Sequence, residues 1–249
     1  MDAASYDKEG FVGGIDIFSA EEIAVYRSKF DELEERLGKE TTAIGLVSRH
    51  FEYEFIWQLA SDERIVSAIA SLIGDDVMLL ATHFFCKYPG GAEAEKFVAW
   101  HQDVTYWGLE PPEAHTAWIA VDKADRENGC MQVVAGSHVS GIAPHGKSDR
   151  GGNLLSINQE IPDEHIDKSM VRHLELEAGQ ISIHHGKTYH CSNANVSERR
   201  RCGLTVRFIR PEIGPVDPTK QEHHRPVLVH GVDTYNHFPA TPRPFHVAA

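Results

Sequence analysis

Residues 100–103 read Trp100-His101-Gln102-Asp103, and the way this stretch is placed decides how the rest of the chain is organised. On a strand, side chains alternate between two faces, so a His and an Asp two positions apart share one face. Apolar Phe97-Val98-Ala99 precedes the pair and aromatic Tyr106-Trp107 follows it, the texture of a segment entering a lined pocket. Two short ligands on one face, joined by a histidine from far along the chain, can hold one metal ion. Two imidazoles and a carboxylate on one face of an octahedron leave the opposite positions open, the donor set of non-haem Fe(II) oxygenases. The same donors also serve zinc-dependent hydrolases, which stand as an alternative.

Further along, His184, His185 and His190 crowd the end of one expected strand, and composition does not choose among them for a third ligand. Arg201 opens a strand that carries Leu204, Val206 and Phe208. A guanidinium clamps a carboxylate through two parallel bonds, which suits an organic-acid cosubstrate better than a hydrolase. Arg207 shares parity with Arg201 and faces the same side, either inward or in a structural ion pair. Arg199 and Arg200 read as a solvated basic turn.

Outward from this centre the texture divides in two. Ser19 and Glu22 form a capping box, and Ile23, Tyr26, Phe30, Leu33 and Leu37 recur at helical spacing until Gly38 stops the helix. Two more helices are expected over about 52–59 and 63–73, the last closed by Gly74. From residue 76 short strands follow at 77–80, 84–88, 115–121, 130–134, 171–177, 180–184 and 203–210, separated by turns such as Pro89-Gly90-Gly91 and Asn128-Gly129. The pattern is mainly β with N-terminal helices (α+β), a sandwich or barrel with helical buttressing. Residues 141–167 are rich in Gly, Ser, Asp and Asn with little periodicity, and a loop of that length is expected to be a lid over the pocket.

A chain of 249 residues with 41% hydrophobic content fits one domain, 1–249, with a helical part at about 15–75 and a core at about 76–212. Its net charge of −13 argues against a nucleic-acid partner. No apolar run approaches a membrane span, the start lacks a signal-peptide pattern, and Cys86, Cys130, Cys191 and Cys202 show no CxxC spacing. A cytoplasmic protein acting on a small molecule is the simplest expectation. Oligomeric state is not encoded in any of these features.

The joint pattern His101-x-Asp103, Asn128-Gly129-Cys130, Gly136-Ser137-His138 and His190-x-Ser192-x-x-Asn195-x-Ser197-x-x-x-Arg201 resembles the phytanoyl-CoA dioxygenase family of Fe(II)/2-oxoglutarate oxygenases. The resemblance spans about 79–208, with Ala135 standing where the family usually has proline. It implies a double-stranded β-helix (jelly-roll, cupin-like) core, with iron as the metal and 2-oxoglutarate and O2 as cosubstrates. It implies that His101, Asp103 and His190 ligate the metal, and that Arg201 and Ser192 hold the far carboxylate of 2-oxoglutarate. Lys87 and Trp118 fall where the family has further cosubstrate-pocket residues. Related halogenases replace the carboxylate ligand by a small residue. Asp103 is retained, which implies hydroxylation, with release of succinate and CO2.

Candidate substrates are small metabolites, such as an amino-acid-like compound or an aminoalkylphosphonate. The alternatives are an acyl-CoA thioester, or no reaction at all in a jelly-roll binding protein. An anionic head would be met by Arg150, Asn153, Asn158, Gln159 and Arg207, and Tyr106 and Trp107 would supply an aromatic wall for an amine or for apolar bulk.

Overall fold

The structure is a computed structural model that describes residues 3–90, 95–105, 107–155, 157–219 and 224–245. The helices are α1 (Ala3–Glu9), α2 (Ala20–Leu37), α3 (Lys39–Ile44), α4 (Glu54–Ala60) and α5 (Glu63–Ile73). The strands are β1 (Phe11–Asp16), β2 (Val77–Lys87), β3 (Val98–His101), β4 (Leu109–Glu110), β5 (His115–Ala120), β6 (Met131–Val134) and β7 (Gly146–Lys147). They continue as β8 (Gln159–Glu160), β9 (Val171–Leu174), β10 (Gln180–His185), β11 (His190–Ser192), β12 (Arg201–Ile209), β13 (Gly214–Pro215) and β14 (Val227–His230).

The expected capping box is formed at the start of α2. The Ser19 hydroxyl accepts from the Glu22 N–H at 3.2 Å, and the Glu22 carboxylate accepts from the Ser19 N–H at 2.7 Å. Ile23, Phe30 and Leu33 form its buried stripe, and Gly38 ends it. The third expected helix coincides with α5, whose first turn is capped by Asp62.

The strands build a six-stranded sheet in the order β1-β10-β5-β12-β2-β14 and a four-stranded sheet in the order β3-β11-β6-β9. Two further pairs, β13-β4 and β7-β8, stand apart, and all these pairings are antiparallel. One face of the six-stranded sheet carries Phe84, Ile119, Ile183, Leu204 and Val206, which pack with Phe30, Ile56, Leu59, Ile65 and Ile69 of the helices in the main core. The opposite face turns to the four-stranded sheet. Period-two alternation therefore divides each strand between core and cavity.

The jelly-roll expectation is corrected here. Among the described residues no ladder joins the six-stranded sheet to the four-stranded one, and each sheet ends in open edge strands. The fold is a mixed α/β fold with several antiparallel sheets, without a closed barrel or jelly-roll topology.

Residues 77–80 and 84–88, read as two strands, are one continuous strand, β2. The polar residues between them, Thr82 and His83, pair with Val206 and Thr205 of β12 and do not break the ladder. Strands β1 and β14 and helices α1 and α3 were not expected. Their segments are short, and their partners lie far away in sequence.

Candidate metal centre and active site

Strand β3 delivers His101 and then stops, and Asp103 opens a short 3-10 turn, Asp103–Thr105. The pair is thus not carried by one strand as its spacing suggested. What brings Asp103 back to the same side is the buried Gln102. Its amide donates to Gly141 O and Lys187 O, both at 2.8 Å, and its carbonyl accepts from the Ala143 N–H at 2.8 Å. Strand β11 delivers His190 directly opposite His101 across an antiparallel ladder. The ligand atoms of His101, Asp103 and His190 all lie within 4.8 Å of one another, and all three residues are buried. Sequence alone left His184, His185 and His190 as rivals, and the fold selects His190.

Each imidazole is held by its other nitrogen. His101 Nδ1 is 2.8 Å from Ala99 O and His190 Nδ1 is 2.9 Å from Thr188 O. A carbonyl can only accept, so each Nδ1 carries the proton and each Nε2 presents a lone pair. Burial pushes the His101 pKa down to about 4 and His190 well below its usual range, so both stay neutral and able to ligate.

Asp103 Oδ1 faces the two imidazoles, 3.9 Å from His101 Nε2 and 4.0 Å from His190 Nε2. Its other oxygen accepts from the Thr116 hydroxyl at 2.7 Å and lies 3.4 Å from His184 Nε2. Burial alone would raise this carboxyl, but Arg207 and the surrounding histidines outweigh burial and hold it well below the usual carboxylate range. The residues fit a divalent metal bound by two neutral imidazoles and one ionised carboxylate.

The triad opens on a cavity between the two sheets, lined also by Phe85, Thr116, Trp118, His184, Ser192, Arg201, Thr205 and Arg207. Arg201, Thr205 and Arg207 are alternate residues of one face of β12. Between them, Gly203 lets the Trp118 ring lie across the strand, because a Cβ there would sit 2.0 Å from Trp118 Cζ2. The Arg201 guanidinium stands 5.3 Å from the centre of that ring. Arg201 is 3% exposed, its Nε has no hydrogen bond, and no carboxylate lies within ion-pair distance of it among the described residues. Lys87, paired with Arg201 in the β12–β2 ladder, is equally buried. Its Nζ donates to Ser192 Oγ at 2.7 Å, to Ser192 O at 3.0 Å and to Asn193 O. Lys87 therefore fixes Ser192, and Ser192 faces the cavity.

The other substrate candidates scatter. Arg150 points outward, ion-paired to Glu160 and stacked on the Phe97 ring at 4.1 Å. Asn153 accepts from the Ala99 N–H at 3.2 Å and donates to Asn158 Oδ1, while Asn158 donates to Ser148 O at 2.9 Å. Gln159 donates to the Thr105 hydroxyl at 2.7 Å. These three amides tie the 141–167 segment to itself and to the metal-side turn. Of the five polar candidates, Arg207 alone lines the cavity. Tyr106 lies outside the described residues, and Trp107 stands beside Arg207, 5.4 Å from the guanidinium.

His185, one rival for the third ligand, faces away towards Glu113 and His115. The Lys187 N–H donates to its Nδ1 at 3.0 Å, which leaves the proton on Nε2 and makes this a hydrogen-bonded cluster. Thr116, Gln102 and the part played by His184 were not singled out in the sequence. Thr116 was within reach, being two residues before Trp118 on the same strand face.

Comparison with known proteins agrees with this geometry. The profile of the phytanoyl-CoA dioxygenase family matches residues 6–203. A probable alpha-ketoglutarate-dependent hypophosphite dioxygenase of Stutzerimonas stutzeri is 25% identical over 85% of this chain and 78% of its own. The peroxisomal phytanoyl-CoA dioxygenase of Bos taurus is 24% identical over 82% of this chain and 66% of its own length. Several other curated relatives are matched over about half their length. Among solved structures, the apo form of the non-haem monooxygenase ThoJ superposes with a TM-score of 0.78 at 26% identity, over 98% of this chain and 88% of that one.

The site and fold are those of a non-haem Fe(II)/2-oxoglutarate-dependent dioxygenase. The chain belongs to the phytanoyl-CoA dioxygenase family.

Proposed function

We propose that the protein hydroxylates an unactivated C–H bond of a small metabolite, with 2-oxoglutarate as cosubstrate and succinate and CO2 as co-products. With iron and 2-oxoglutarate in place, the centre supplies the coupling of cosubstrate decarboxylation to substrate oxidation by O2. The observation that carries the reading is Arg201, a buried guanidinium without a carboxylate partner among the described residues, in the same cavity as the His-Asp-His triad. An unpaired buried cation costs several kcal/mol in general, and a dicarboxylate bound there relieves that cost.

In this reading Arg201 and Ser192 hold the far carboxylate, Lys87 orients Ser192, and Trp118 forms the wall under the guanidinium. Thr116 donates to one oxygen of Asp103, with His184 Nε2 3.4 Å from the same oxygen, and the other oxygen faces the imidazoles. Residues 141–167 act as the cover, tied down through Ala143 to Gln102 and through Gln159 to Thr105. The substrate is an amino-acid-like or aminoalkylphosphonate-like compound. The hypophosphite dioxygenase relative, matched over more of its own length than the phytanoyl-CoA dioxygenases, supports a small molecule over an acyl-CoA. The setting is cytoplasmic, where the four buried thiols stay reduced.

The test is anaerobic titration of the Fe(II) protein with 2-oxoglutarate, followed by visible absorption of the chelate, in wild type and Arg201→Ala. A band in wild type that weakens at least tenfold in apparent affinity in Arg201→Ala supports the proposal. No band, together with tight zinc binding, sinks it in favour of the hydrolase.

A further inference from the structure

We propose that Arg207 is the substrate anchor, and that the substrate is a small monoanion whose acidic group lies against this guanidinium. The inference rests on the dioxygenase reading above and replaces its amino-acid-like zwitterion by a compound of net charge about −1.

Arg207 occupies a position that metal binding alone does not explain. Its guanidinium is 3.7 Å from Asp103 Oδ1, the oxygen that faces the two imidazoles. Its Nη1 donates to the Thr205 hydroxyl at 3.0 Å, and its buried Nε has no hydrogen bond. The side chain is 11% exposed and lines the cavity, and its guanidinium lies 5.4 Å from the centre of the Trp107 ring. Asp103 already has Thr116 as a donor, and its negative charge is shared with the metal once the site is loaded. That leaves Arg207 with donors to spare beside the reacting centre.

Charge gives the class of ligand. The cavity is lined by two arginines and one carboxylate, an excess of one positive charge. A divalent iron and a dianionic 2-oxoglutarate cancel, so the loaded site keeps that excess. Lys87 lies behind Ser192, spends its donors on Ser192 and Asn193, and does not line the cavity. A buried uncompensated cation is unfavourable in low dielectric, and a monoanion neutralises it. A guanidinium meets a carboxylate, phosphinate or sulfonate through two parallel hydrogen bonds, which also fixes the direction of the attached carbon or phosphorus. Arg201 and Arg207 lie six residues apart on one face of β12, so cosubstrate and substrate anions have separate anchors.

The experiment uses the full-length Fe(II)–2-oxoglutarate complex under anaerobic conditions and follows its visible band while small probes are added. Hypophosphite, acetate and methanesulfonate are the anionic probes, and acetamide is the neutral one. The expected result is a saturable band shift with at least one anion and none with acetamide. At Fe(II) and 2-oxoglutarate concentrations that saturate each variant, Arg207→Gln should weaken that anion's apparent affinity about tenfold or more, and Arg207→Lys should recover part of the loss.

An anion affinity unchanged in Arg207→Gln overturns the inference, as does a response to acetamide equal to that of the anions, or no response to any anion. Loss of the band itself in Arg207→Gln also overturns it, because Arg207 would then serve only to neutralise Asp103. Absence of the band in wild type is a different failure, which removes the dioxygenase reading and this inference with it.

Discussion

Arg201 and Thr116 show how single side chains divide the work of the site. Burial lowers the Arg201 pKa, but a guanidinium has too high an intrinsic value to lose its proton, so the cost stays in the protein until a carboxylate arrives. Replacing it by an apolar residue of similar size should relieve that cost. Arg201→Met is therefore expected to leave the cosubstrate-free protein at least as stable, by about 0–1 kcal/mol in urea unfolding, while raising the KM for 2-oxoglutarate at least tenfold. A stability loss of several kcal/mol would mean that Arg201 holds the fold together. Thr116 acts through Asp103, donating to the oxygen turned away from the imidazoles. Thr116→Val keeps the shape and removes that donor, and it should weaken Fe(II) affinity roughly 10–100-fold in a chelator competition. Unchanged metal affinity would show that His184 and Arg207 suffice to orient the carboxylate.

At the level of elements, strand β12 does the most, with Leu204, Val206 and Phe208 in the helix-covered core and Arg201, Thr205 and Arg207 in the cavity. Gly203 is the one position on its cavity face where a side chain has no room, since Trp118 occupies it. Gly203→Ala should displace the indole and lose about 1–3 kcal/mol of stability, with a parallel rise in the KM for 2-oxoglutarate because the wall under Arg201 moves. A stable variant with normal 2-oxoglutarate affinity would mean that the ring has room to shift. Helix α2 offers a simpler check away from the site. Ser19→Ala removes the side-chain half of the capping box and should cost about 1 kcal/mol in urea unfolding with no change in metal binding.

For the whole molecule, metal and protons are the natural variables. Three ligands converge from segments nearly ninety residues apart, so an ion bound there stabilises the native state only. Saturating Fe(II) or Zn(II) should raise the thermal midpoint, and chelator should lower it, by roughly 3 kcal/mol of linkage at a hundredfold excess over Kd. An unaltered midpoint would place the ion elsewhere. Burial pushes His50 and His83 down to about 4 and His185 to about 3. Their folded values lie below the unfolded value of about 6.5, so the unfolded chain takes up protons first as the pH falls. Their contribution is complete above about pH 6.5 and is lost on acidification towards pH 4. The urea midpoint of the metal-free protein should therefore drop between pH 7 and pH 5, and a flat profile would contradict the burial of these rings. What the sequence by itself determined follows from local rules. A capping box and a 3.6-residue stripe define α2, and strand parity puts Arg201 and Arg207 on one face. The spacing of His101, Asp103, His190 and Arg201 matched a family pattern before any fold was known. Only the tertiary structure decided the rest. It chose the topology of open antiparallel sheets, set His190 opposite His101, and turned Asp103 inward through the hydrogen bonds of Gln102. It also committed Asn158 to its own segment, Asn153 and Gln159 to Ala99 and Thr105 on the metal side, and left Arg207 in the cavity. Each of these outcomes depends on pairings between strands and loops tens to hundreds of residues apart. Periodicity and propensity, which act over a few residues, carry no record of them.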